Sequence, residues 1–226
     1  MKLPTVQNRE ELTALIEEVG FLPFFTSEMP GFSVMSVTRG LSWWSGDDGR
    51  DPWQWRILIS SSHRLAYAKL FRGKAGFVSP EWLPVFANYR RDGYDFDALF
   101  DDGKASYRSK LIMDLFSAGT ASLPTFEIKR LANFGKDGVK GFEGAVTALQ
   151  MQTYLTISDF TQKRNKRGEP YGWPVGVLAP PESVFGEELV RSRYSESPKI
   201  SFDRLVDRVG QYVERVSDDD IRKFLK

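Results

Sequence analysis

The chain has 226 residues, 41% of them hydrophobic and 27% charged, enough to bury a sizeable core as one unit or as two of roughly 100 residues each. Its formal net charge is +1, so affinity for a polyanion has to come from local clustering of cations. It has no cysteine and a single histidine, His63, which together remove disulfides, thiolate nucleophiles, the usual zinc sites and a Ser-His-Asp triad as a good candidate. The start Met-Lys-Leu-Pro-Thr leads straight into charged residues, and no run approaches the ~20 apolar residues of a membrane span. A cytoplasmic location with no membrane association is expected, and neither a metal nor a cofactor.

From Glu10 to Val19 an amphipathic helix is expected on Leu12, Leu15, Ile16 and Val19, capped by Asn8 and ended by Gly20. Phe21 to Phe32, broken by Pro23 and Pro30, reads as irregular chain over a core. Trp43, Trp44, Trp53 and Trp55 surround a polar loop. They suit a base-stacking platform or, given their bulk, a core. Leu65 to Val78 reads as a hairpin turning at Gly73, and Ser79 and Pro80 open a helix towards Arg91 in which Pro84 is tolerable only near the start. Asp92 to Gly103 carries five aspartates without the glycine and glutamate of a calcium loop, so a solvated acidic loop is expected. His63, near a turn, is expected in solvent.

Helices follow at Tyr107 to Phe116, capped by Ser106, and at Phe126 to Asn133, capped by Thr125. A third carries Val139, Phe142, Val146 and Leu149 at helical spacing. After Gln150-Met151-Gln152 the period changes to two, with Tyr171, Trp173, Val175 and Val177 alternating on a returning strand. Between the strands Lys163, Arg164, Lys166 and Arg167 sit beside Gly168 and Pro170, in a loop. Three helices, strand, basic loop and strand are the order of a winged helix. The fold class expected is therefore α+β, a winged helix with a β-hairpin wing, single or in tandem, and a C-terminal helix. The division expected is an N-terminal region 1–103, a winged-helix domain 104–180, and a linker with a periodic helix from Ser201 to Val216 in 181–226, Ser217 capping a last turn.

The chemistry centres on residues 140–167. On a helical wheel Glu143 and Gln150 lie about 20° apart at ~100° per residue, pointing to one shared site. The outward face Lys140, Gly144, Thr147 and Ala148 offers small residues and one cation, good for close approach of a backbone and poor for bidentate reading of bases. Lys140 and the four wing cations are the expected contacts to double-stranded DNA phosphates. Glu127-Ile128-Lys129 has a nuclease-like look, but Thr125 puts it on a helix rather than a strand.

Four stretches, WWSGDDGRDPWQW, KAGFVSPEWLPVFANYRRDGYDFDAL, FGKDGVKGFEGAVTALQMQTYL and NKRGEPYGW, resemble the AlkZ-related bacterial proteins of unknown function. That family is distantly similar to the winged-helix alkylpurine DNA glycosylases of AlkZ type, which excise alkylated or crosslinked bases. The resemblance implies a catalytic motif of Gln, an apolar residue, then Gln or Asp, which Gln150-Met151-Gln152 matches as a string. Here it sits late in the chain and is followed by Thr153-Tyr154, unlike the glycosylase pattern. A glutamine carbonyl dipole facing the charge that develops on the sugar, with Glu143 or Asp159 near, would suit a monofunctional glycosylase. The alternative is a non-catalytic regulator or interaction module, the glutamines satisfying backbone groups.

Overall fold

The computed structural model describes residues 2–117 and 119–226. Helix α1 (Arg9–Val19) starts where Asn8 accepts the Glu11 N–H at 2.8 Å, and stops at Gly20, whose φ of 97° lets its N–H return to Ile16. The segment expected to be irregular begins instead with strand β1 (Phe21–Pro23), entirely buried. A three-residue strand is too short to show a period, and Pro23 is tolerated because β1 lies at a sheet edge. Helices α2 (Val34–Val37) and α3 (Pro52–Ser61) follow, α3 capped by Asp51 with Pro52 in its first turn. Strands β2 (Ala66–Phe71) and β3 (Lys74–Val78) form the expected hairpin. Its two-residue turn, Arg72-Gly73, has φ of 51° and 77°, the positive pair that matches strand twist.

Helix α4 (Leu83–Arg91) does not start at Ser79. Ser79 is buried, its carbonyl accepts from Trp82 and Leu83, and Trp82 takes the N-cap position. Pro84 thereby falls in the first turn, where no N–H is needed. The acidic segment is not a plain loop either. It contains α5 (Phe96–Asp101), capped by Asp95 and burying Phe96 and Leu99. Helix α6 (Tyr107–Ser117) opens on Ser106, whose hydroxyl accepts the Ser109 N–H at 3.1 Å. Strand β4 (Leu123–Pro124) leads into α7 (Thr125–Leu131), where Pro124 rather than Thr125 holds the cap position. Helix α8 (Phe142–Met151) and strands β5 (Thr156–Arg164) and β6 (Pro170–Ala179) complete this half.

The fold is α+β, and its two halves repeat one plan. α1, β1, α2, α3, β2, β3 are echoed by α6, β4, α7, α8, β5, β6, and in each sheet the third strand lies between the other two, β1-β3-β2 and β4-β6-β5. The turns leaving α3 and α8 pass through left-handed residues at matching places, His63 (φ 56°) and Thr153 (φ 63°). The halves also pack reciprocally: α3 lies on β5, α8 on β2, and the edge strands β2 and β5 on each other. Such exchange of equivalent contacts is how a two-fold interface is built, here within one chain. Each half covers an edge that would otherwise be open to pairing with another molecule.

The proline-rich segment expected as a linker holds α9 (Pro181–Phe185) and α10 (Glu187–Arg191). The periodic C-terminal helix, α11 (Pro198–Gly210), starts at a Ser197 cap, earlier than expected, and ends before Val216; α12 (Asp218–Leu225) has the Ser217 cap. α11 lies on α4, where Tyr89 stacks on Phe202 at 4.4 Å and Asn88 donates to Ser201 at 2.9 Å. Buried apolar side chains fall into two clusters, one combining residues from 3–87 with residues from 190–225, the other within 96–178. Among the described residues no helix is long and apolar enough to cross a membrane.

Candidate nucleic-acid interface

The β5–β6 turn is organised by Asn165. Its side-chain oxygen accepts the N–H groups of Arg167 (2.8 Å) and Glu169 (3.1 Å), and its amide donates to Glu169 at 2.8 Å. Gly168 supplies φ of 81° and Arg164 donates to its carbonyl at 2.6 Å. This fixes a narrow hairpin whose tip exposes Lys163, Arg164, Lys166 and Arg167. Among the described residues none of the four is in an ion pair. Their charge therefore stays available to an external anion.

A second basic feature lies at the start of α8. Lys129, Lys136 and Lys140 line a cleft of about 390 Å³ with Phe134, Phe142 and Glu143. Its floor is set by Phe134, which bridges to Val139, and by Gly141, whose φ of 92° turns the chain into α8. No side chain caps the first N–H groups of α8, so the positive helix end faces the same cleft as the lysines. An oxygen anion suits that combination.

Glu143 is exposed and belongs to this cleft. Gln150 is 2% exposed and does not share it, contrary to the expected common site. Seven residues along a helix separate the two by ~10 Å, and Gln150 faces the other half of the molecule. Its carbonyl oxygen accepts the backbone N–H of Lys69 on β2 at 3.1 Å, while its amide nitrogen reaches the Val146 carbonyl at 3.4 Å. Gln152 is half-buried at the C-cap of α8. The adjacent Thr147 is engaged as well, accepting from the Lys69 ammonium at 3.2 Å. Of the outward face, Lys140, Gly144 and Ala148 stay exposed and Thr147 does not. The equivalent helix α3 is covered even more fully by β5, with Ser61 donating to Asp159 and His63, exposed as expected, meeting the Ser158 carbonyl at 3.1 Å. Glu127 sits in the first turn of α7.

The tryptophans divide. Trp55 is fully buried with its indole N–H on the Asp48 carbonyl at 2.8 Å, and Trp43 and Trp53 pack on Phe24. Of the four around the polar loop, Trp44 is the one largely exposed, at 59%. It is held in a left-handed conformation (φ 61°) by Asp51, whose fully buried carboxylate accepts the N–H groups of Trp44, Gly46 and Trp53 at 2.8–2.9 Å. Arg56 is also buried, its guanidinium 3.5 Å from the Trp53 ring and 4.5 Å from Phe160 on β5. Burial pulls its pKa below the usual arginine range, opposed by Tyr67 and Asp51, and burial raises that of Tyr67.

Arg91 is a junction that residue patterns do not reveal. It is 3% exposed, donates to the Thr153 side chain and carbonyl, pairs with Glu182 and lies over the Tyr154 ring. Burial alone would depress its pKa, but Glu182 and Tyr194 more than compensate, and the net shift is upward. One arginine thus ties α4, the turn after α8, and α9 together. These partners lie 62 to 103 residues away along the chain, too far for any periodicity to announce. Among the described residues no cluster of His, Asp or Glu could hold a metal ion.

No curated protein and no solved structure matches the chain. A family model does, over residues 6–226, and with nearly the whole length matched the chain belongs to the AlkZ-related family.

Proposed function

We propose that the protein binds duplex DNA as a tandem winged-helix module, through its wing and the lysine-lined cleft, without reading base sequence. The observation that carries this is the hairpin tip Lys163 to Arg167, four exposed cations with no acidic partner on a turn fixed by Asn165. Phosphate contacts of this kind position a protein on a duplex and carry no sequence information. The helix, strand, helix, helix, strand, strand order with sheet order β4-β6-β5 supports the winged-helix reading, and its echo in the first half supports a tandem. Lack of base reading is supported by α8, whose exposed face is left with Glu143, Gly144 and Ala148 beyond Lys140, and by α3, which is covered. Membership of the AlkZ-related family supports DNA as the polyanion. The test is competition between duplexes of unrelated sequence at fixed salt. Affinities within a few-fold of one another support the reading, and a preference of 10³-fold or more for one sequence, typical of specific binders, contradicts it.

The second reading is excision of alkylated bases by Gln150 and Gln152, which would have to act without Glu143, since that carboxylate lies in the separate lysine-lined cleft. The family and the Gln-Met-Gln string favour it. The burial of Gln150 against β2 favours an architectural role instead. Release of N7-alkylated purines from duplex DNA, lost in Gln152→Ala with the fold intact, would establish excision.

A further inference from the structure

Beyond its cations the wing carries the most exposed aromatic of the molecule. Trp173 on β6 is 77% exposed and Tyr171 52%. Neither ring stacks on another aromatic or lies under a cation, and among the described residues neither is closed over by a partner. The strand holding them is nonetheless well defined. Gly172 between them has φ of 75°, the register shifts so that residues 172–174 of β6 bulge opposite Gln162 alone, and Gln162 donates to the Gly172 carbonyl at 2.7 Å. Tyr171 lies across from Lys163, and Trp173 follows it on the body side, within the bulge. Two open π-faces are thus fixed immediately behind a tip of unpaired cations.

Resting on the DNA reading above, we propose that Trp173, with Tyr171, is a stacking site for an unpaired nucleotide, so that the wing prefers duplexes with a displaced base to fully paired ones. A π-face accepts any base, and an indole gains most from a base free to leave its own stack. A membrane surface is the other partner that favours Trp, Tyr and Lys together. It requires a broad apolar face. Here the residues flanking the rings are Pro170, Gly172 and Pro174, and the tip beyond them is charged.

The experiment compares a perfect duplex with the same duplex carrying one unpaired base, for the wild type, Trp173→Ala, Trp173→Phe and the variant with all four wing cations replaced by glutamine. Expected is a preference of about tenfold for the unpaired base in the wild type. Trp173→Ala loses it and Trp173→Phe keeps part of it, both with the salt dependence of binding unchanged. Because Trp173 is so exposed, its replacement leaves the fold intact, which circular dichroism confirms. Equal discrimination by wild type and Trp173→Ala overturns the stacking site while leaving DNA binding by the cations intact. No discrimination by the wild type, together with Trp173-dependent binding to anionic phospholipid vesicles, overturns it in favour of a membrane. No DNA affinity in any variant removes the DNA reading itself, and this site with it.

Discussion

The side-chain oxygen of Gln150 on α8 accepts the backbone N–H of Lys69 on β2, joining residues 81 positions apart across the contact between the two halves. β2 is an edge strand, so its outward N–H and carbonyl groups have no ladder partner. Side chains from elsewhere supply them: Gln150 for the Lys69 N–H, Thr156 for the Tyr67 carbonyl at 3.1 Å, and Arg90 for the Leu70 carbonyl at 3.2 Å.

Gln150→Ala should therefore lower stability by about 1–3 kcal/mol, because it strands a backbone N–H between packed surfaces. Urea denaturation measures this. An unchanged midpoint would mean that Gln150 is not needed for the junction and would restore interest in it as a chemical group.

Arg91→Met should cost about 3 kcal/mol or more, since it leaves Glu182 and the Thr153 carbonyl without their buried donor. Glu182→Gln should cost less, because the Glu182 side chain is one-fifth exposed and water replaces part of what is lost. Equal losses for the two, read from denaturant midpoints at constant slope, would contradict the asymmetric burial.

Asp51→Ala should cost about 2 kcal/mol and release the Trp44 loop, because one carboxylate serves both as the α3 cap and as acceptor for Trp44 and Gly46. Limited proteolysis between residues 44 and 50 reports the release. A variant that stays resistant there would show the loop to be held by packing alone.

Much of this architecture is legible along the chain. Asn8 and Gly20 bracket α1, the alternation of residues 171–177 marks β6, and the cation run marks the wing, although Lys163 and Arg164, expected in the loop, belong to β5 itself. β1 and β4 escape notice because two or three residues carry no period, and α5 because its aspartates mask the Phe96 and Leu99 that it buries. For the candidate site, what lies against Gln150 is β2, contributed from far upstream, and no local pattern encodes that neighbour. The reciprocal packing of the halves is invisible for the same reason, since α3 and α8 share a place in the fold without sharing residues.

The central claim is that the wing holds DNA by its phosphates, and a salt titration of binding to a fully paired duplex tests it most directly. The wild type should lose affinity linearly on a log-log scale, with a slope near −0.9 for each phosphate neutralised. Replacing Lys163, Arg164, Lys166 and Arg167 with glutamine should weaken binding and flatten that slope by up to ~4 while leaving stability within about 0.5 kcal/mol, as expected for exposed side chains. Wild-type affinity and an unchanged slope in this variant would contradict the account.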